Sequence, residues 1–370
     1  MEHYHMLDYI HESPVAIDKT LQENEAAIRA IAKKAKEMNV DKVVLSGVGS
    51  SYTSCLMALP LFQVHCPFPA IVINSEETGY YAQRWIDAHS LVVVVSRSGE
   101  RGAVIDTLQA ANDAGALGVA VTGVADSLLA QTSKLSLITQ EGPEITFPKT
   151  KSVSACVATL MRLGLALARP EDQAAQQRLA RLNHLSAEMK AFIESIEPQL
   201  LALLPRIAEH KLIDVVGTCS NHGTALEAAI KVQEATYVPT RGDSTAGLLQ
   251  GPVGALNKDW LVYALVMPRD LELTKQLLKL TRGFQAYNLA VHPRDLDLEG
   301  LADGEIVTPA FDDPYLAALV YLPAVQLLAY YWTVQRGMNP DAPASMESIL
   351  QTILPPGRQE PEMRKWSYPD

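Results

Sequence analysis

One stretch of this 370-residue sequence places hydroxyls where a phosphate can be held. Leu91 to Val95 is an unbroken apolar run, and it stops at Ser96-Arg97-Ser98-Gly99-Glu100. A β-branched run of that length reads as a strand buried on both faces of a parallel sheet. A helix-like segment, 101–114, follows the turn. In an open α/β sheet, ligands bind beyond the carboxyl ends of the strands. Two hydroxyls, the turn amides and the positive end of a helix dipole would favour an anion there. Ser and Gly are also common in ordinary βα turns, and the pattern alone leaves both readings open.

The elements around this turn set its frame. The length suits about two domains, and 48% hydrophobic with 20% charged residues describes a globular chain with ample core. A net charge of −11 argues against nucleic acid and anionic membranes as partners. Cys55, Cys66, Cys156 and Cys219 form no CxxC pair and no metal-ligand spacing. With an N-terminus unlike a signal peptide, they lead us to expect reduced thiols in a cytoplasm. The run Tyr315 to Val334 carries no charge, but Pro323 and Gln326 interrupt it. It is expected as a buried or subunit-interface helix rather than a membrane span. Strands are expected at Lys42–Leu45, Ala70–Ile73, Leu91–Val95, Leu117–Val121 and Leu135–Ile138, separated by helices, which is the alternation of a doubly wound sheet. A long helical region near 152–209 follows, with Arg169-Pro170-Glu171-Asp172 as a natural linker turn.

The pattern then repeats. Leu212 to Val216 ends in Gly217-Thr218-Cys219-Ser220-Asn221-His222-Gly223, and Gly47 and Gly217 stand 170 residues apart. The same offset lays Ser90-Leu91-Val92 on Trp260-Leu261-Val262, which argues for a duplicated α/β unit. It also turns Ser96 and Ser98 into Val266 and Pro268, and proline has no N–H to donate. Anion binding is therefore expected in the first half alone. The expected domains are 1–165, a helical linker at 166–205, a second unit at 206–355 and a tail at 356–370.

Five motifs in order carry a resemblance: VGSSYTS (48–54), VSRSGE (95–100), PEITFPKTKS (143–152), ALEAAIKVQEATY (225–237) and AGLLQGP (246–252). The chain resembles the tandem sugar isomerase (SIS) family, which includes the isomerase half of glucosamine 6-phosphate synthase and the fructosamine 6-phosphate deglycases. The resemblance implies two doubly wound, mostly parallel-sheet SIS-type domains. It implies that the two Ser-rich turns hold a sugar phosphate through Gly49, Ser50, Ser51, Ser96 and Ser98. It also places Lys151 in the substrate site. It implies that Glu234 is the base moving a proton between C1 and C2 of the sugar. Lys231, three positions earlier, shares its helix face and can tune it. By spacing alone, Glu227, Lys231 and Glu234 equally describe a salt-bridged, solvated face.

Departures from the family pattern shape the expectation. Gln250 stands where the family commonly has a histidine that opens the sugar ring, and glutamine exchanges no proton near neutral pH. Arg101 stands at a phosphate-binding threonine, and Arg97 at a glutamine; either arginine could pair with a phosphate bidentately or equally be a plain surface residue. His222 is a candidate for the missing proton relay and equally a helix-start residue without chemistry. No amidotransferase domain precedes the sugar unit in this sequence, so glucosamine 6-phosphate synthesis is not expected. The expected function is that of a ketosamine 6-phosphate deglycase or an aldose–ketose phosphosugar isomerase, needing no metal or organic cofactor. A phosphosugar sensor or regulatory subunit without catalysis is the alternative. The family also implies a homodimer with active sites shared between subunits.

Overall fold

The computed structural model describes residues 4–100 and 102–342. The first unit runs α1 (His5–Glu23), α2 (Glu25–Glu37), β1 (Lys42–Gly47), α3 (Ser50–His65), β2 (Ala70–Asn74), β3 (Ser90–Val95), α4 (Gly102–Asp113), β4 (Leu117–Thr122), α5 (Leu128–Thr132), β5 (Leu135–Ile138) and α6 (Lys151–Ala166). The second runs α7 (Gln173–Leu182), α8 (Leu185–Ile207), β6 (Leu212–Gly217), α9 (Ser220–Thr236), β7 (Thr240–Ser244), α10 (Thr245–Leu249), β8 (Trp260–Leu265), α11 (Leu271–Gly283), β9 (Tyr287–Pro293), β10 (Gly304–Thr308) and α12 (Ala317–Gln335).

Each unit is a five-stranded parallel sheet, in the orders β2-β1-β3-β4-β5 and β10-β9-β8-β6-β7. The 170-residue offset holds through both: Val43 pairs with Ala70 and Ile213 with Thr240, while Leu91 pairs with Leu117 and Leu261 with Tyr287. It extends to backbone angles. Gly49 has φ 57° and ψ −129°, and Cys219, 170 residues later, has φ 57° and ψ −125°. The duplication is therefore structural down to the turn that starts each first helix. The 166–205 stretch, expected as a linker, folds into α7 and most of α8, and residues 195–207 of α8 repeat α2 at the same offset.

The strands are apolar on both faces because helices cover both faces. In β3, Leu91, Val93 and Val95 pack into a core shared by the two units, while Val92 and Val94 pack outward under α4. Each valine so buried stabilises the fold by about 1.5–3 kcal/mol relative to an exposed one. The shared core is built from α1, α3, α6, α8, α9 and α12, so the inner helices of both units meet face to face. By length and composition α12 could cross a membrane, yet 89% of its apolar window is buried inside the chain. Of the two expectations for this run, the packing shows the buried helix: its apolar surface is covered by α8, α9 and the rest of its own core.

Candidate active site

The order β2-β1-β3-β4-β5 reverses direction between β1 and β3, and that switch point is where doubly wound sheets bind ligands. Both serine turns lie there. After β1, Gly49 takes its left-handed turn and α3 starts at Ser50, with Ser51 N donating to Val48 O at 3.1 Å. After β3, Ser96 Oγ accepts from Gly99 N at 3.1 Å, which leaves its O–H available to donate. Gly99 has φ 67°, and a Cβ there would sit 2.3 Å from Ser127 Oγ, so the turn requires glycine. Gly123 N and Thr122 Oγ1 donate to Arg97 O, and Leu129 N to Gly99 O. The backbone is thus fastened from β4 and α5 while the Arg97 and Ser98 side chains stay partly exposed. Arg101 lies outside the described residues.

The second unit reaches this turn through α9. Helices α3 and α9 cross antiparallel: Thr53 Oγ1 donates to Glu227 Oε2 at 2.5 Å, and a Cβ on Gly223 would meet Met57 N at 2.6 Å. The two contacts are duplicates of one another, Thr53 and Gly223 being equivalent positions, as are Met57 and Glu227. This crossing sets the N-terminus of α3, with Ser50 and Ser51, beside the C-terminal half of α9. There Lys231 Nζ lies 2.6 Å from Glu234 Oε2 and 3.6 Å from Glu227 Oε1. Lys231 and Glu227 are buried, whereas Glu234 keeps 28% of its side chain exposed. Burial pushes Glu227 above the usual carboxylate range, opposed by Lys231 and by the Thr53 hydroxyl. Burial pulls Lys231 down, but Glu234 and Glu227 more than offset it and hold the amine charged. A chain of contacts, Thr53–Glu227–Lys231–Glu234, therefore links the serine turn at the start of α3 to a partly exposed carboxylate.

The duplicate of this arrangement has lost its chemistry. Met57, Leu61 and Val64 stand where α9 has Glu227, Lys231 and Glu234. At the start of α9, Ser220 Oγ and N both donate to Pro314 O, so the chain's own carbonyl occupies that helix terminus. Among the described residues the constellation exists once.

Not every expected residue joins it. His222 is twelve residues before Glu234 on the same helix, about 18 Å along its axis. Gln250 caps α10 at the carboxyl end of β7, also away from Glu234, and is exposed. The relay role expected of His222 and the substrate contact expected of Gln250 are not met within one chain. Lys151 turns toward α1: its Nζ lies 2.6 Å from Glu12 Oε2 and 4.2 Å from the centre of the Tyr9 ring. Its neighbour Lys149 instead feels the charges of Arg97, Lys231 and Glu234. The 141–150 loop is knotted around buried Glu144, which accepts from Thr150 N, Thr150 Oγ1, Lys151 N and Ser152 Oγ. Lys149 Nζ donates to Glu144 O at 3.1 Å and Thr146 O at 2.5 Å, within the electrostatic reach of Arg97, Lys231 and Glu234. The sequence carried this signal only as a second lysine in PKTK. Arg97 Nε lies 3.7 Å from Glu141 Oε1, too far for a hydrogen bond. That nitrogen and both buried Glu141 oxygens lack hydrogen-bond partners among the described residues. An arginine so held has donors to give an anion.

Comparison with known proteins fits this geometry. Residues 12–169 match the SIS domain family. The first α/β unit is a SIS domain. The second shares its strand order, so the chain holds two SIS-type units. It is 28% identical over 346 residues to a glutamine–fructose-6-phosphate aminotransferase (isomerizing) of Thermococcus kodakarensis, covering 92% of this chain and 57% of that protein. The chain thus spans a little over half the length of that relative. Among solved structures, the C-terminal domain of a glucosamine-fructose-6-phosphate aminotransferase from Francisella tularensis superimposes with a TM-score of 0.81 at 20% identity, covering 93% of this chain and 99% of that one. A tagatose-6-phosphate ketose/aldose isomerase from Escherichia coli gives 0.75 at 20% identity, covering 95% and 96%. At such identities the solved structures speak to the SIS fold.

Proposed function

We propose that this SIS protein processes 6-phosphosugars, as an aldose–ketose isomerase or as a deglycase of ketosamine 6-phosphates. The observation that carries the reading is the α3–α9 crossing, which sets the Ser50-Ser51 turn one contact chain away from Glu234. The phosphate would sit on Ser50, Ser51, Ser96 and Ser98 with Arg97 alongside. In the open-chain substrate, Glu234 would take a proton from C1, and Lys231 would hold its carboxylate in position. Electrons from the C1–H bond form C1=C2 as the C2=O2 π pair takes a proton from water, giving an enediol from a ketose or an enaminol from a ketosamine. Returning the Glu234 proton to C2 then gives the aldose as O1–H gives its proton back to water, or the imine as N–H does. The imine then adds water and releases amine and hexose 6-phosphate.

Relatives named for sugar 6-phosphates support the substrate class. Gln250 in place of the family histidine favours a second reading, a phosphosugar sensor. We also propose a homodimer of the 40.3 kDa chain, which light scattering measures directly. Thermal unfolding against fructose 6-phosphate, glucose 6-phosphate, a fructosamine 6-phosphate and their unphosphorylated forms tests the function, because ligands of the native state raise its melting point. Stabilisation by the phosphorylated compounds alone, with hexose 6-phosphate released from the ketosamine, marks the deglycase. Interconversion of the two hexose phosphates marks the isomerase, and binding without turnover the sensor. No stabilisation by any compound overturns the reading.

A further inference from the structure

The sugars proposed above are closed rings in water, and Glu234 can act at C1 only once the ring is open. Opening needs a group that gives a proton to the ring oxygen O5 and takes one from the anomeric hydroxyl. Gln250 has no proton to exchange, and His222 lies about 18 Å along α9 from Glu234. Lys231 is locked between two carboxylates, and an arginine such as Arg97 does not deprotonate in proteins. We propose, on the phosphosugar reading, that Lys149 is the catalytic group that opens the ring.

The placement of Lys149 fits that task. The Glu144 knot fixes the loop, and two carbonyls, Glu144 O and Thr146 O, fix the amine nitrogen. The charged groups facing it come from three elements: Glu144 of its own loop, Arg97 of the β3–α4 turn, and Lys231 and Glu234 of α9. It therefore lies within electrostatic reach of both Arg97 and Glu234. Burial pushes its amine down to about 7, with Arg97 and Lys231 adding to the effect and Glu144 and Glu234 opposing it. Such an amine exchanges protons near neutral pH, where general acid–base groups work best. In the step, the C2–O5 bond breaks and its electron pair takes the ammonium proton, forming O5–H. The anomeric O2–H then gives its proton to the neutral amine as C2=O2 forms, so Lys149 ends in its starting state.

The test compares wild type with Lys149→Met and Lys149→Arg on two sugars. One is fructose 6-phosphate or a fructosamine 6-phosphate, whichever the wild type turns over faster. The other is its 5-deoxy counterpart, which lacks O5 and cannot close the furanose ring. The readout is deuterium entering C1 from heavy water, with melting points checking that each variant folds. Both variants should lose about 100-fold on the ring-forming sugar, the low end of general acid–base contributions, and stay within a few-fold of wild type on the 5-deoxy sugar. The wild-type rate on the ring-forming sugar should also fall as pH rises through about 7, where the ammonium is lost, and Lys149→Arg should remove that limb. Equal losses on both sugars, or none on either, overturn the role of Lys149 alone. A wild type that exchanges neither sugar overturns it together with the phosphosugar reading.

Discussion

Replacing Lys231 by methionine should destabilise the protein by about 3–5 kcal/mol, because removing one partner strands buried charge. The ammonium is 1% exposed and bridges Glu227, which is fully buried, and Glu234. At 2–4 °C per kcal/mol for units of 150–250 residues, the melting point should drop by roughly 6 °C or more. The loss should depend on pH in a stated direction. Glu227 already has a folded-state pKa raised by burial, and losing Lys231 raises it further. A carboxyl raised in this way binds a proton on folding, so it costs stability as pH climbs above its unfolded value. The deficit of Lys231→Met should therefore be smallest near pH 4–5 and grow toward pH 8, by at most about 1.4 kcal/mol per pH unit. The other half of the chain supplies the control. Its equivalent positions are Met57 and Leu61, so the double variant Glu227→Met, Lys231→Leu copies a pairing this fold already packs. Apolar replacement of a buried ion pair is often neutral or stabilising, and Thr53 Oγ1 retains its bond to Ser50 O. The double variant should come within about 1 kcal/mol of wild type. A deficit for Lys231→Met that is small and flat with pH, or a double variant no better than the single, would refute the buried bridge.

Three further outcomes follow from the site. Arg97→Met should weaken phosphorylated sugars about tenfold or more, as expected for a hydrogen bond to a charged group, and leave unphosphorylated analogues unchanged in calorimetric titrations. Gly99→Ala should cost about 1–3 kcal/mol of stability, because residue 99 sits at φ 67° against Ser127; a melting curve like that of wild type would contradict the turn geometry. Lys151→Met should lower the melting point through its lost contacts with Glu12 and Tyr9 while sparing phosphosugar affinity; a selective loss of affinity would return Lys151 to the substrate site.

Much of the frame was legible in the sequence because it is written locally. The valine run marked β3, and the 170-residue offset, seen first in two landmarks, proved to run through all ten strands and through the register of every strand pair but the last, where β9 and β10 are shifted by one residue relative to β4 and β5. The loss of Ser96 and Ser98 to Val266 and Pro268 predicted that the halves differ, and the stripping of Glu227, Lys231 and Glu234 to Met57, Leu61 and Val64 was there to read by the same offset. The distance from His222 to Glu234 was also implicit, since twelve helical residues fix it. Other features depend on contacts far apart in sequence. Thr53 meets Glu227 only because α3 crosses α9. Lys149 and Lys151 differ in surroundings because a buried glutamate knots their loop and α1 supplies Glu12. The apolar run 315–334 could not say whether it would be covered by its own chain, a partner or a membrane; the packing of α12 answers that.

The central claim, that Glu234 moves a C1 proton on a phosphosugar held by the first-half turns, has a direct measurement. Wild type and Glu234→Gln are incubated in heavy water with fructose 6-phosphate and a fructosamine 6-phosphate, and deuterium at C1 is followed by NMR. Wild type should exchange, the variant should not, and both should bind the phosphosugar equally. Exchange that persists in Glu234→Gln, or none in wild type, would contradict the claim.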